Sequence, residues 1–364
     1  MIRLMVKVAA IFLVVVAPFC GGAAQQKTPA RPTERPAQSG KIQSPRVSLA
    51  PRFSPGQVFR YQMEFETTTA TTRSGLAKDP QGPSKLVITW DATVLMEVLP
   101  PSAAAPDGVR LRTTYEKSTA SVHSDTFDPA ADQTQSQYQK LEGKVVEFSL
   151  DAAGKVKAVA GLEGVVDGVV DGVKAAQAAG DWIAHLDASS GAPPGGVMVG
   201  QKWSSDQEAK ALPVTGMVWR TETEYLRNEP CRPPNPEVPP ASAPAESAGN
   251  AGTPGNPDSA AHAEPVETCA VVLAHLNLIR PKPVRDPTPE EYRKNGMKTA
   301  GKWSGSAQSL TYVSLRTGFV VSVTQTGTDE MDVTLTSEHA SMHYAGTILS
   351  RSQVALVADQ SRTK

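Results

Sequence analysis

From Gly56 onward the chain alternates apolar and polar positions. Val58 to Thr72, Lys85 to Leu99, Val109 to Val122 and Gln137 to Leu150 each alternate, with Val, Ile, Thr, Tyr, Phe or Trp enriched. Breakers such as Asp79-Pro80-Gln81-Gly82-Pro83 and Pro100 to Gly108 separate them. Period-two alternation between turn clusters predicts antiparallel strands joined as a meander. A hairpin ends this series, with a strand from Val145, a turn at Asp151-Ala152-Ala153-Gly154 and a return strand from Lys155 to Ala160. The period then changes: Val165, Val166, Val169, Val170, Val173 and Ala176 stand at helical spacing, predicting a connecting helix over 162–189. Strand character resumes over Gly195–Trp203, Gly216–Arg227, Cys269–Arg280, Trp303–Thr324 and Met331–Arg351, followed by a polar C-terminal tail from 352. Thr288-Pro289-Glu290-Glu291 predicts a second, short helix with Thr288 as N-cap and Asn295-Gly296 as its stop. The expected fold is mainly β (α+β). Two antiparallel meander units, 53–161 and 195–351, form curved sheets, with the central helix packed on a sheet face.

The second unit echoes the first. Gly56-Gln57-Val58-Phe59 returns as Gly200-Gln201-Lys202-Trp203, and the hairpin Ser149 to Val156 returns as Ser314 to Val320. Echoes this short suggest an internal duplication without establishing one. In the connecting helix Gly164, Gly168 and Gly172 fall four apart, and each costs about 1 kcal/mol against alanine. Close approach of helix to sheet is one reason to keep them; Asp167-Gly168 and Asp171-Gly172 acting as hairpin turns is the other.

Composition adds regions without a core. Hydrophobic residues make up 40% of 364, enough for one large or two modest cores, but 30 prolines and 28 glycines exceed what such cores need. Two stretches absorb them: a Pro-rich tether over 25–52, read as a solvated linker or a basic wall-binding tail, and an insertion over 232–268 rich in Pro, Ala, Gly, Ser and Asn. Before the tether, Arg3 and Lys7 precede the apolar run Val8–Ala17, and Gly22-Ala23-Ala24 supplies small residues for cleavage. This pattern predicts a signal peptide over 1–24, hence export to the periplasm or beyond, with no transmembrane span in the mature chain. Cys20 leaves a lipid anchor open as an alternative to plain cleavage. In an exported chain Cys231 and Cys269, at the two ends of the insertion, are expected to form a disulfide.

Candidate chemistry is sparse. A formal net charge of −1 gives no reason to expect nucleic acid as a partner. No Gly-x-Ser-x-Gly elbow or Ser-x-x-Lys motif supplies a nucleophile, and Gly195 to Lys202 misses the phosphate-loop spacing with Trp203 where Ser or Thr should follow. His339 and His343, four apart, are weak metal candidates that lack a third ligand unless His123 or Asp332 supplies it. Asp181 and His185 share a helical face as a surface pair or, less simply, a poised base. No cofactor is expected and no catalytic residue is assigned.

The motifs PGQVFRY, LEGKVVEFSLDAAGKVKAVAG, VGQKW and SLRTGFVVSV, behind a signal peptide, resemble the exported, β-rich proteins of unknown function found in bacterial genomes. The likeness covers most of 53–324 and rests on turns and strand starts, so it implies no catalytic residues. In outline the pattern is also similar to the curved half-barrels of periplasmic lipid carriers, sheets closed by a helix over an apolar hollow. The resulting expectation is a non-catalytic envelope protein that binds a lipid or other apolar ligand, or an envelope protein. Its groove would be lined by Val165, Val166, Val169, Val173, Trp90 and Trp219. A structural or interaction module without a pocket and a hydrolase of unfamiliar type are the alternatives.

Overall fold

The structure, a computed structural model, describes residues 45–75, 84–101, 108–125, 131–151, 156–162, 182–209, 212–231 and 267–359. Eleven strands form one open, curved antiparallel sheet: β1 (Val58–Gly75), β2 (Ser84–Leu99), β3 (Val109–Ser124), β4 (Val145–Leu150), β5 (Val156–Ala160), β6 (Lys202–Glu208), β7 (Val218–Pro230), β8 (Thr268–Ile279), β9 (Lys298–Ser314), β10 (Val320–Thr336) and β11 (Ser341–Asp359). Their order is β5-β4-β3-β2-β1-β11-β10-β9-β8-β7-β6, so β5 and β6 are its edges. The mainly β expectation holds, with two meanders joined in a single sheet.

β11 makes the join. It pairs with β1 from Phe59↔Asp359 to Gly75↔Met342 and with β10 on its other side. The polar tail expected from 352 is therefore strand as far as Asp359, with Val354 and Ala355 buried. Residues Trp303 to Arg351 hold parts of three strands: the echoed hairpin at Ser314 to Val320 separates β9 from β10, but the break expected between Thr324 and Met331 falls inside β10. The turn after β10, closed by Ser337 N–H donating to Ala340 O at 2.8 Å, carries no Gly or Pro to mark it.

Two other expectations need correction. The strand expected from Gln137 begins only at Val145, because α1 (Ala131–Gln139) precedes it. Its buried positions Thr134, Gln137 and Tyr138, continued by Leu141, are at helical spacing, but two of them are polar and no apolar period announces the helix. In α2 (Glu290–Lys294) the N-cap is Pro289, not Thr288. The Thr288 hydroxyl instead accepts the Thr299 N–H at 3.0 Å and holds the start of β9. Gly296, with φ 68°, ends α2 as expected. The expected central helix lies outside the described residues except at its end, where Trp182–Leu186 is a 3-10 helix.

The echoed turns are the same turn. Gly56 (φ 84°) donates to Val98 O at 2.8 Å, Val98 N–H donates to Gln57 O at 2.9 Å, and Gln57 Oε1 accepts Ser54 N–H at 2.7 Å. In the second unit Gly200 (φ 80°) donates to Tyr225 O at 2.6 Å, Tyr225 N–H to Gln201 O at 3.1 Å, and Gln201 Oε1 accepts Met198 N–H at 3.1 Å. Only glycine adopts that φ without strain. Each turn launches a strand whose second residue, Phe59 or Trp203, enters the core.

One face of the sheet carries both cores. The larger gathers Phe59, Tyr61, Trp90, Tyr115, Phe148 and Trp182 with residues of β6–β11; Leu49, in the stretch expected as a tether, is buried in it, and Phe53 just beyond makes an edge contact with Phe319 at 5.2 Å. The smaller, at the far ends of β7–β11, gathers Trp219, Leu278, Tyr292, Trp303, Met331 and Tyr344. Charged side chains of the nearby strands stand on the opposite face, as in Arg220–Asp206 (2.8 Å) and Lys202–Glu224 (3.0 Å). Among the described residues no helix is long and apolar enough to cross a membrane.

Candidate binding cavity

Between the two cores the inner face turns small and polar. Cross-strand register aligns Thr223, Ala274, Ser309 and Gln325 in one row and Thr221, Leu276, Ala307 and Gly327 in the next. Alternation assigns these positions to the interior, yet half of them are Ser, Thr or Gln. The segment after the 3-10 helix lies over this strip. Trp182 anchors it, buried with its ring 5.8 Å from that of Tyr61, and Trp203 Nε1 donates to Ser190 O at 3.0 Å. Asp187 Oδ1 closes the turn by accepting from Ser189 N–H (3.0 Å) and Ser189 Oγ (2.7 Å).

The result is a partly open cavity of about 120 Å³. His185, Asp187, Ala188 and Ser190 line it from the overlying segment, and β6–β10 supply the rest, including Gln207, Trp219, Val272, Leu276 and Val323. Three of these side chains hold a buried polar atom with no hydrogen-bond partner in the protein: His185 Nε2, Gln207 Nε2 and Trp219 Nε1. More than nine in ten buried polar groups are paired in folded proteins, so three orphans around one cavity call for a cause.

Two titratable groups are displaced here. Burial pushes His185 down to about 4, which keeps the imidazole neutral at pH 7. Asp329 lies beside the lining residue Trp219. A Cβ built on Gly305 would stand 2.0 Å from Asp329 Oδ1 and 2.9 Å from the Trp219 ring, so the carboxyl fills the space that the glycine leaves beside the indole. Burial pushes Asp329 up to about 7.

These two groups act oppositely on stability. Between pH 6.5 and 4 folded His185 binds fewer protons than its unfolded counterpart, so its contribution is lost as pH falls. Folded Asp329 keeps a proton that the unfolded chain has released, so its contribution is complete below pH 3.8 and lost as pH rises to about 7. Discounted for partial exposure, each is on the order of 2 kcal/mol. Urea unfolding from pH 4 to 7 should therefore show a shallow profile for the parent. Asp329→Asn should gain stability as pH rises across that window, and His185→Gln should lose it. Parallel profiles for all three would refute this assignment.

Of the residues singled out in sequence, Trp219 and His185 line the cavity; His185, expected as half of a surface pair, sits in a 3-10 helix with its Nε2 buried. Trp90 does not: it is core, with its ring 5.3 Å from Phe65 and Nε1 donating to Ser118 Oγ at 2.9 Å. Val165, Val166, Val169 and Val173 lie outside the described residues, as does Asp181. Cys231 and Cys269 are joined as a disulfide. His343 Nε2 meets Asp332 Oδ1 at 2.9 Å on exposed strand surface, and exposed His339 stands 3.9 Å from Glu338. Among the described residues no three of His, Cys, Asp and Glu come together to hold a metal ion.

No family model and no curated protein matches the chain. Solved structures similar to it include the outer membrane protein OprG from Pseudomonas aeruginosa, 6% identical, covering 82% of this chain and 96% of that one with a TM-score of 0.15. DynF, from the dynemicin biosynthesis pathway of Micromonospora chersina, is 7% identical and covers 90% and 95%, also with a TM-score of 0.15. At that TM-score neither likeness tells what this cavity does.

Proposed function

We propose that this protein is an exported, non-catalytic binding protein of the cell envelope that holds a small ligand in the cavity between the sheet and residues 185–190. The observation that carries this reading is one hollow lined by His185, Gln207 and Trp219, each of which holds a buried polar atom with no partner in the protein. A bound ligand would give them partners while apolar Val272, Leu276 and Val323 cover its body. The volume, about 120 Å³, approaches that of a 150 Å³ cavity known to take benzene, so the site suits a ring or the end of an acyl chain. A larger apolar ligand would leave the rest of its length outside. The Cys231–Cys269 disulfide supports an oxidising compartment.

Catalysis is the second reading, and one observation favours it: His185 and Asp187 line the same cavity. With its imidazole pushed down to about 4, however, His185 is a weak base at neutral pH, and binding accounts for more of the site.

Native mass spectrometry of the protein purified from cells that make it tests the binding reading. The parent should carry a noncovalent mass that denaturation removes, and Ala307→Phe, which fills the hollow, should lose it while keeping the parent's circular dichroism. A parent chain without added mass, or equal loading of both proteins, would overturn the reading.

A further inference from the structure

We infer that the cavity takes an uncharged ligand that presents a carbonyl or similar oxygen acceptor to Trp219 and Gln207, an inference that rests on the binding reading above. Gln207 and Trp219 are cross-strand partners on β6 and β7, 8% and 6% exposed; both line the cavity, and each holds a buried nitrogen with no partner in the protein. An indole N–H can only donate, so the partner missing at Trp219 is an acceptor; the Gln207 amide, which carries one donor and one acceptor end, can turn its NH2 to the same oxygen. His185 Nε2 gives or takes a hydrogen bond according to its tautomer and accepts either chemistry.

Charge narrows the class. An anion would enter a wall in which no lining residue is Lys or Arg and Asp187 already stands, and a buried charge without a counter-charge is costly. An ammonium or amidinium group offers only donors, which leaves the Trp219 N–H as unsatisfied as before. Only a neutral acceptor answers both constraints. The apolar wall of Val272, Leu276 and Val323 asks for a hydrocarbon ring or chain end beside it.

The test uses four probes of one shape on the full chain: benzamide, its anionic isostere benzoate, its cationic isostere benzamidinium, and toluene, with dissociation constants from ligand-observed NMR titration. Benzamide should bind at least tenfold more tightly than benzoate or benzamidinium. Trp219→Phe, which keeps the ring face and removes the donor, should weaken benzamide about tenfold and leave toluene within twofold; Gln207→Met should do the same to a smaller degree. Benzoate or benzamidinium matching benzamide would overturn the inference, and so would a benzamide affinity unchanged in both variants. Failure of all four probes would overturn it too. The mass-spectrometric comparison reports separately on the binding reading, which survives if the parent still carries a ligand that Ala307→Phe loses.

Discussion

Replacing Trp90 with alanine is expected to lower folding stability by about 3–5 kcal/mol, the range for large-to-small changes of a buried aromatic. Its indole is 2% exposed and lies within 5.2–6.3 Å of the rings of Phe65, Tyr115 and Tyr138. Its N–H donates to Ser118 Oγ, and that hydroxyl donates in turn to Tyr138 O at 2.7 Å. The chain of bonds ties β2 to β3 and β3 to α1, so the truncation opens a void and loosens the helix together. Trp90→Phe, which removes the donor and little volume, should cost only about 1–2 kcal/mol. Urea unfolding followed by fluorescence measures both. A Trp90→Ala loss below about 1 kcal/mol would mean that this indole is not central to the larger core.

Removing the disulfide should have a comparable effect by a different route. Cys231 and Cys269 are 38 residues apart in sequence, and chain entropy alone assigns the closure of such a loop about 4 kcal/mol. The bond sits where β7 ends and β8 begins, beside the Cys231 N–H to Glu267 O hydrogen bond at 2.8 Å and the Glu229↔Cys269 pair. It therefore holds in place the two strands that give Trp219, Thr221, Val272 and Leu276 to the cavity. Cys231→Ala with Cys269→Ala should lower the urea midpoint, and reduction of the parent by dithiothreitol should reproduce the shift. An unchanged midpoint would show that the β7–β8 ladder fixes the register unaided.

Much of this architecture was legible because strand burial writes itself as alternation. β1, β2, β3, β7 and β8 fall where Val, Ile, Thr and aromatic residues alternate, and the repeated Gly-Gln turn was visible because only glycine suits its φ. α1 was hidden because its buried stripe includes Thr134 and Gln137. β11 runs past its expected end at Arg351: Ser352 and Gln353 look like the start of a tail, although both pair with β1. The same blindness hid the cavity. Gln207, Thr223, Ser309 and Gln325 occupy interior positions of their strands, and a polar residue at an interior position is the available signal. What sequence could not give is their convergence, which depends on register between strands separated by long connections.

The most direct test of ligand binding at this cavity is the set of indole N–H resonances of the protein's five tryptophans, recorded during a benzamide titration and assigned through single Trp→Phe variants. The Trp219 signal should move downfield as its N–H gains an acceptor, and the Trp90 signal, already bonded to Ser118, should stay in place. A Trp219 resonance that stays fixed while benzamide binds would place the ligand elsewhere and contradict the account.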